Sequence, residues 1–385
     1  MKDFEFYNPV NILFGKYQLQ KTAQLIPEGK KILMLYGGGS IKQNGVYDKI
    51  TENLKERDVV MFGGIEPNPS YETCMRAVDI VKSEKIDFLL AVGGGSVIDA
   101  TKFIGAAALY TGDDPWDILA KGTPVTASLP LAAVLTLPAT GTEMNGNAVI
   151  SRKSTREKFA FGSVYSFPVF SILLPAAAGT LPQRQVANGI VDAFVHVIEQ
   201  YLTYPVNAMV QDRFSEALLK TLIDVAPDVY KDPSDYDAMS NLMWAATMAL
   251  NGLISKGVPG DWSVHDIGHE LTALHNIDHA RTLAIVLPGL WEVLKEEKMD
   301  KLVQYAERVW NVTGGTPVEK ADRAIELTVQ FFESLGIKTR LSDYGVSQDT
   351  VDLIVSRFSE RGRLGFGDRR LVTPVVVREV LQNRL

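Results

Sequence analysis

The sequence predicts an α/β N-terminal half followed by an all-helical C-terminal half, and two changes of pattern carry that prediction. Up to about residue 180, short continuous apolar runs alternate with amphipathic stretches. Beyond Thr180-Leu181-Pro182, apolar residues recur at helical spacing and strand-like runs become scarce. Apolar strands without alternation, joined by helices, describe a parallel sheet covered on both faces.

In order, the strands are expected at Ile32–Tyr36, Val59–Phe62, Phe88–Val92, Ala132–Thr136 and Val169–Leu174. Amphipathic helices are expected between them at Tyr71–Glu84 and Val97–Leu109. The second half predicts helices over Val186–Tyr201, Val210–Ile223, Tyr236–Leu253, Asp261–Leu274, Thr282–Leu294, Met299–Val309, Val318–Leu335 and Thr350–Phe358. The domains are therefore expected at 1–181 and 182–385, divided at the turn around Gly179 to Pro182. No internal repeat or low-complexity tract interrupts them.

The composition, 46% hydrophobic and 22% charged, is that of a globular chain. A net charge of −7, with no basic stripe, excludes nucleic acid as the expected partner. The single cysteine, Cys74, rules out an internal disulfide and a cysteine-rich metal site. Neither a signal peptide nor a membrane span is expected, since no apolar run approaches the roughly 18 residues a span needs. A cytoplasmic protein without membrane contact is the expectation.

Two triple-glycine turns each follow an expected strand: Gly37-Gly38-Gly39-Ser40 and Gly93-Gly94-Gly95-Ser96. Glycines let the backbone approach a bulky anion, and the N-terminus of a following helix offers N–H groups and a favourable dipole. A bare tight turn is the plain alternative for one such run, but two after neighbouring strands favour a phosphate ligand. Neither run is a P-loop or the usual dinucleotide fingerprint. A third stretch, Pro138 to Glu143, offers the hydroxyls of Thr140 and Thr142.

All five histidines lie between His196 and His279. Asp192 and His196 are one helical turn apart, as are His265 and His269, while His275 and His279 flank the next turn. One aspartate with three histidines suits Zn(II), Fe(II), Mn(II) or Ni(II). A lone helical histidine is more often a packed or surface residue, and His275 is read so. His265-Asp266-Ile267-Gly268-His269 also imitates H-E-x-x-H, which makes a zinc-dependent hydrolase with Asp266 as base the alternative function. That alternative leaves the glycine turns without a role.

Taken together, these residues resemble the iron-containing (group III) alcohol dehydrogenase family, in its bacterial NADPH-dependent aldehyde reductase and butanol dehydrogenase branch. The resemblance runs from Tyr7-Asn8-Pro9 and Ile12 to Gly15, through Gly93 to Asp99, Pro138 to Glu143 and the Asp192/His196 pair, to Gly268-His269 and His279. It implies the dehydroquinate synthase-like fold, a dinucleotide-binding α/β domain followed by an all-α metal-binding domain. It implies Asp192, His196, His265 and His279 as ligands of one divalent metal, Fe(II) or Zn(II), with His269 near the nicotinamide. Gly94, Gly95, Ser96 and Asp99 match the pyrophosphate turn, Thr140 and Thr142 match cofactor contacts, and Lys158 matches a lysine at the nicotinamide ribose. The Gly37–Ser40 turn carries no carboxylate against a 2′-phosphate, and Ser40 and Lys42 offer to bind one, so NADP(H) is expected over NAD(H). The activity implied is hydride transfer between the nicotinamide and a short-chain aldehyde or alcohol such as butanal or butanol. A homodimer is the assembly the family implies.

Overall fold

The computed structural model describes residues 1–385. Eight strands form: β1 (Asn11–Phe14), β2 (Lys31–Tyr36), β3 (Asp58–Phe62), β4 (Phe88–Gly93), β5 (Leu131–Leu135), β6 (Asn147–Arg152), β7 (Glu157–Gly162) and β8 (Phe170–Leu173). Six of them make one parallel sheet in the order β1-β8-β5-β4-β2-β3. The expected apolar strands are all there, and three of the four inner ones, β4, β5 and β8, are buried at every position. Burial on both faces is why they read as unbroken apolar runs rather than alternating ones. On one face Ile32, Met34, Leu90, Val92, Val134 and Ile172 pack into a single core.

β2 has β3 on one side and β4 on the other, so the strand order reverses at the β2–β4 pair. Its register sets Tyr36 opposite Val92. Both triple-glycine turns therefore leave the carboxyl ends of adjacent strands at a topological switch point, where open parallel sheets hold their ligands. β6 and β7 form a separate antiparallel hairpin, where the sequence predicts no strands. It is anchored by the Ser151 N–H, which donates to the Pro69 carbonyl at 2.9 Å.

The helices of eight residues or more are α1 (Val46–Asn53), α2 (Tyr71–Ser83), α3 (Gly95–Ala108), α4 (Gln183–Tyr201), α5 (Met209–Lys231), α6 (Tyr236–Ala249), α7 (Ser263–His275), α8 (His279–Val293), α9 (Lys295–Arg308), α10 (Pro317–Ser334), α11 (Gln348–Glu360) and α12 (Pro374–Asn383). α10 starts on a capping box, in which Thr316 and Glu319 exchange side-chain and backbone hydrogen bonds. No helix is long and apolar enough to cross a membrane.

By internal contacts the chain forms two units: residues 7–182 with 231–251, and residues 1–6 with 183–230 and 252–385. The sequence places the expected helix Tyr236–Leu253 in the 182–385 domain, whereas α6 packs in the α/β unit. There Trp244 meets Phe14 edge to face at 6.1 Å and Thr247 donates to the Glu143 carboxylate. Helical periodicity identifies a buried stripe but not the core it faces.

Candidate metal centre and nucleotide turns

In the helical unit, α4 carries Asp192 and His196 one turn apart, α7 carries His265 and His269, and His279 opens α8. One ligand atom each from Asp192, His265 and His279 lies within 4.8 Å of the others. Asp192 Oδ1 is 3.7 Å from His279 Nε2 and 3.9 Å from His196 Nε2. The His196 and His265 rings stack at 4.7 Å. Four residues from three helices thus converge, and all but His279 are more than nine-tenths buried. Burial drives the His196 pKa down to about 4, so its imidazole is neutral at physiological pH, the form in which histidine ligates.

Glu199, one turn beyond His196, was not singled out from the sequence. Its Oε1 accepts the Val264 N–H at 2.7 Å; its Oε2 accepts the His265 N–H at 3.2 Å and also the ring Nδ1. Burial and neighbouring Asp261 push this carboxyl well above its ordinary range, and the Val264 and His265 N–H groups oppose that. Donation from Nδ1 leaves Nε2 as the ligating nitrogen of His265, the arrangement that orients a metal-bound imidazole. The spacing Asp192, His196, Glu199 puts all three on one face of α4, a signal that was present in the sequence.

One carboxylate and three imidazoles, all buried but for half-buried His279 and without sulfur, form a donor set that fits a borderline divalent cation. His269 stands beside it, with its ring 5.0 Å from that of His279 and 6.2 Å from that of His265. His275 does not join the cluster: its Nε2 meets Thr350 Oγ1 at 2.9 Å. Asp266 pairs with Arg363. Following His265 by about 100° around the helix, it is engaged elsewhere and is not poised as the base of a hydrolase. Trp262, at the N-cap of α7, holds a left-handed φ of 62° and sets its indole edge-on to His265 at 5.5 Å.

In the α/β unit, Gly95 begins α3 directly after β4. A Cβ there would collide with the Thr140 hydroxyl, so only glycine lets the 138–143 loop lie against this turn. Asp99 is buried, and its two oxygens accept from Thr142 Oγ1 at 2.6 Å and from the Val149 N–H at 3.0 Å. Asp99 and Thr142 therefore bond one another. Lys158, on β7, is buried and donates to Asn68 Oδ1 at 2.9 Å. At the other turn Gly39 has a φ of 124°, open to glycine alone, and Ser40 is exposed. The Lys42 ammonium sits over the Tyr36 and Tyr47 rings at 5.4 and 5.0 Å. Lys102, also missed in the sequence, lies fully buried on α3 beside this network.

Comparison with known proteins agrees over both units. The family model for iron-containing alcohol dehydrogenase matches residues 9–175, and that for the C-terminal part of the Fe-containing alcohol dehydrogenase family matches residues 186–383. The chain is 52% identical over 384 residues to the NADPH-dependent aldehyde reductase YqhD of Escherichia coli, covering 99% of each. The crystal structure of that E. coli protein superposes with a TM-score of 0.98 at 51% identity, covering 100% of this chain and 99% of the other. An NADH-dependent butanol dehydrogenase A from Thermotoga maritima superposes with a TM-score of 0.95 at 35% identity, over 100% and 99% of the two chains.

Proposed function

The chain belongs to the iron-containing alcohol dehydrogenase family, and we propose that it reduces short-chain aldehydes such as butanal with NADPH, and oxidises the matching alcohols in reverse. The observation that carries this reading is the donor set of buried Asp192 and His265 with half-buried His279, whose ligand atoms lie within 4.8 Å of one another.

Asp192, His196, His265 and His279 would hold the cation, Fe(II) or Zn(II), and Glu199 would keep His265 turned toward it. When bound, the cation polarises the substrate oxygen and the dinucleotide supplies the hydride. His269 would hold the proton that the reduced oxygen takes up, a task suited to an imidazole close to the ligand cluster. The Gly93–Ser96 turn, with Thr140 beside it, would bind the pyrophosphate, and Lys158 the nicotinamide ribose. Gly37 to Gly39 would admit the adenosine ribose, while Ser40 and Lys42 bind its 2′-phosphate. The tyrosine pair supports that last role by holding the Lys42 cation in place.

The test is loss of NADPH absorbance with butanal. Chelation should abolish turnover and Fe(II) or Zn(II) should restore it; full activity in the metal-free enzyme sinks the scheme. A cytoplasmic homodimer completes the proposal, with edge strand β1 pairing only with β8 in the chain. Light scattering in solution measures the mass directly.

A further inference from the structure

Lys102 has no place in the scheme above, yet it is among the largest fully buried side chains in the molecule. Its Nζ donates to the Thr142 carbonyl at 2.6 Å, Thr142 Oγ1 at 2.7 Å, the Asn147 carbonyl at 2.7 Å and Asn145 Oδ1 at 3.2 Å. A cation in such a site costs several kcal/mol of desolvation, and a methionine of similar length would pack there more cheaply. Burial lowers its pKa to about 7, while Asp99 and Glu143 pull in the other direction. A side chain this expensive to bury has a task beyond filling space.

The bonds lead from Lys102 to the glycine turn in two steps. Lys102 grips Thr142 at both its carbonyl and its hydroxyl, and that hydroxyl in turn donates to Asp99, one helical turn earlier on α3. The Thr142 N–H donates to Thr140 Oγ1 at 3.4 Å. The Thr140 hydroxyl is the group that stands where a Cβ on Gly95 would be. Gly95 and Lys102 belong to the same helix. The helix that begins at the turn therefore reaches back, through Lys102 and Asp99, to fix the loop facing that turn.

We propose that Lys102 is a positioning residue for the dinucleotide: it sets the Thr140 hydroxyl beside the Gly93–Ser96 amides, so that the phosphates meet a ready-made ring of donors. It touches no reacting atom. The proposal rests on the Gly93–Ser96 turn being the phosphate cradle, as read above. Preorganised donors bind more tightly because their ordering cost is met before the ligand arrives.

The test is a double-mutant cycle on the metal-loaded enzyme, read as the Kd for NADPH by fluorescence titration and as separate KM values for NADPH and butanal. Lys102→Met should raise the Kd and KM for NADPH roughly tenfold. The KM for butanal at saturating NADPH and the metal content should not move, which a general loosening of the fold would not spare. Thr140→Val should cost a similar factor in the native background but less than about twofold on top of Lys102→Met, since the hydroxyl has already lost its register. Additive losses, or a native Kd in Lys102→Met, overturn the proposal. If Lys102→Met fails to fold, Lys102→Gln carries the same cycle, and failure of both to fold overturns it in favour of a purely structural lysine. Gly95→Ala separates the underlying reading, because its methyl meets Thr140 whatever Lys102 does. Native NADPH affinity in Gly95→Ala overturns the cradle and the proposal with it; weakened binding there, beside a native-like Lys102→Met, overturns the role of Lys102 alone.

Discussion

Glu199 holds His265 at two points, accepting from its backbone N–H at 3.2 Å and from its ring Nδ1. Both carboxylate oxygens face donors, because Oε1 takes the Val264 N–H as well. In Glu199→Gln one of these positions becomes an NH2 group pointing at an N–H. Metal affinity should fall by ~10–100-fold. Competition with a chelator of known affinity measures it, and unchanged affinity would detach Glu199 from the metal centre.

Gly268 lies where α7 meets α8. An added Cβ would stand 2.9 Å from Thr282 Oγ1 and 3.1 Å from Leu283 Cδ2, which forces apart the helices that carry His265 and His279. Gly268→Ala should cost about 1–3 kcal/mol of stability as an overpacked contact. Bound metal should fall with it, although the residue contributes no ligand. A variant with native melting temperature and metal content would show that the interface yields without moving the histidines.

His269 and Asp192 are expected to fail in different ways. His269→Ala should lower kcat by ~10²–10⁴-fold while keeping the metal, as for loss of a proton-transfer group. Asp192→Ala should lose metal and turnover together. Metal analysis beside steady-state rates separates the two; loss of metal from His269→Ala would make that ring a ligand instead.

Cofactor choice is expected to turn on exposed Ser40 and on Lys42, which sits over Tyr36 and Tyr47. Ser40→Asp or Lys42→Glu places a carboxylate where a 2′-phosphate would sit. The ratio of kcat/KM for NADPH to that for NADH should drop by at least about tenfold, or ~1.4 kcal/mol. An unchanged ratio would locate 2′-phosphate recognition elsewhere.

Much of this was legible in the sequence for physical reasons. Strands such as Phe88–Gly93 announce themselves because both faces are buried, and the pairs Asp192/His196 and His265/His269 because helical spacing aligns them, whereas His279, on the next helix, was marked as a ligand only by the family resemblance. The β6–β7 hairpin did not, since its strands carry charge at Arg152, Glu157 and Lys158 and have no two-residue Asn-Gly or Asp-Gly turn between them. β1, four residues long, is too short to show a period. Glu199 and Lys102 escaped notice because glutamate and lysine within a helix are ordinarily solvated. Only tertiary contacts reveal that these two are buried and what they hold.

The return of residues 231–251 to the α/β unit bears on how the chain is made. A ribosome finishes the last strand of the sheet, Phe170–Leu173, well before it reaches α6. At ~5–20 residues per second, the nascent sheet waits several seconds without that helix. During the wait the Phe14 ring lacks Trp244 and the Glu143 carboxylate lacks Thr247. The first unit thus gains its last helix only once the chain has passed residue 251. A fragment stopped at residue 182 would carry the whole sheet but neither of those two contacts.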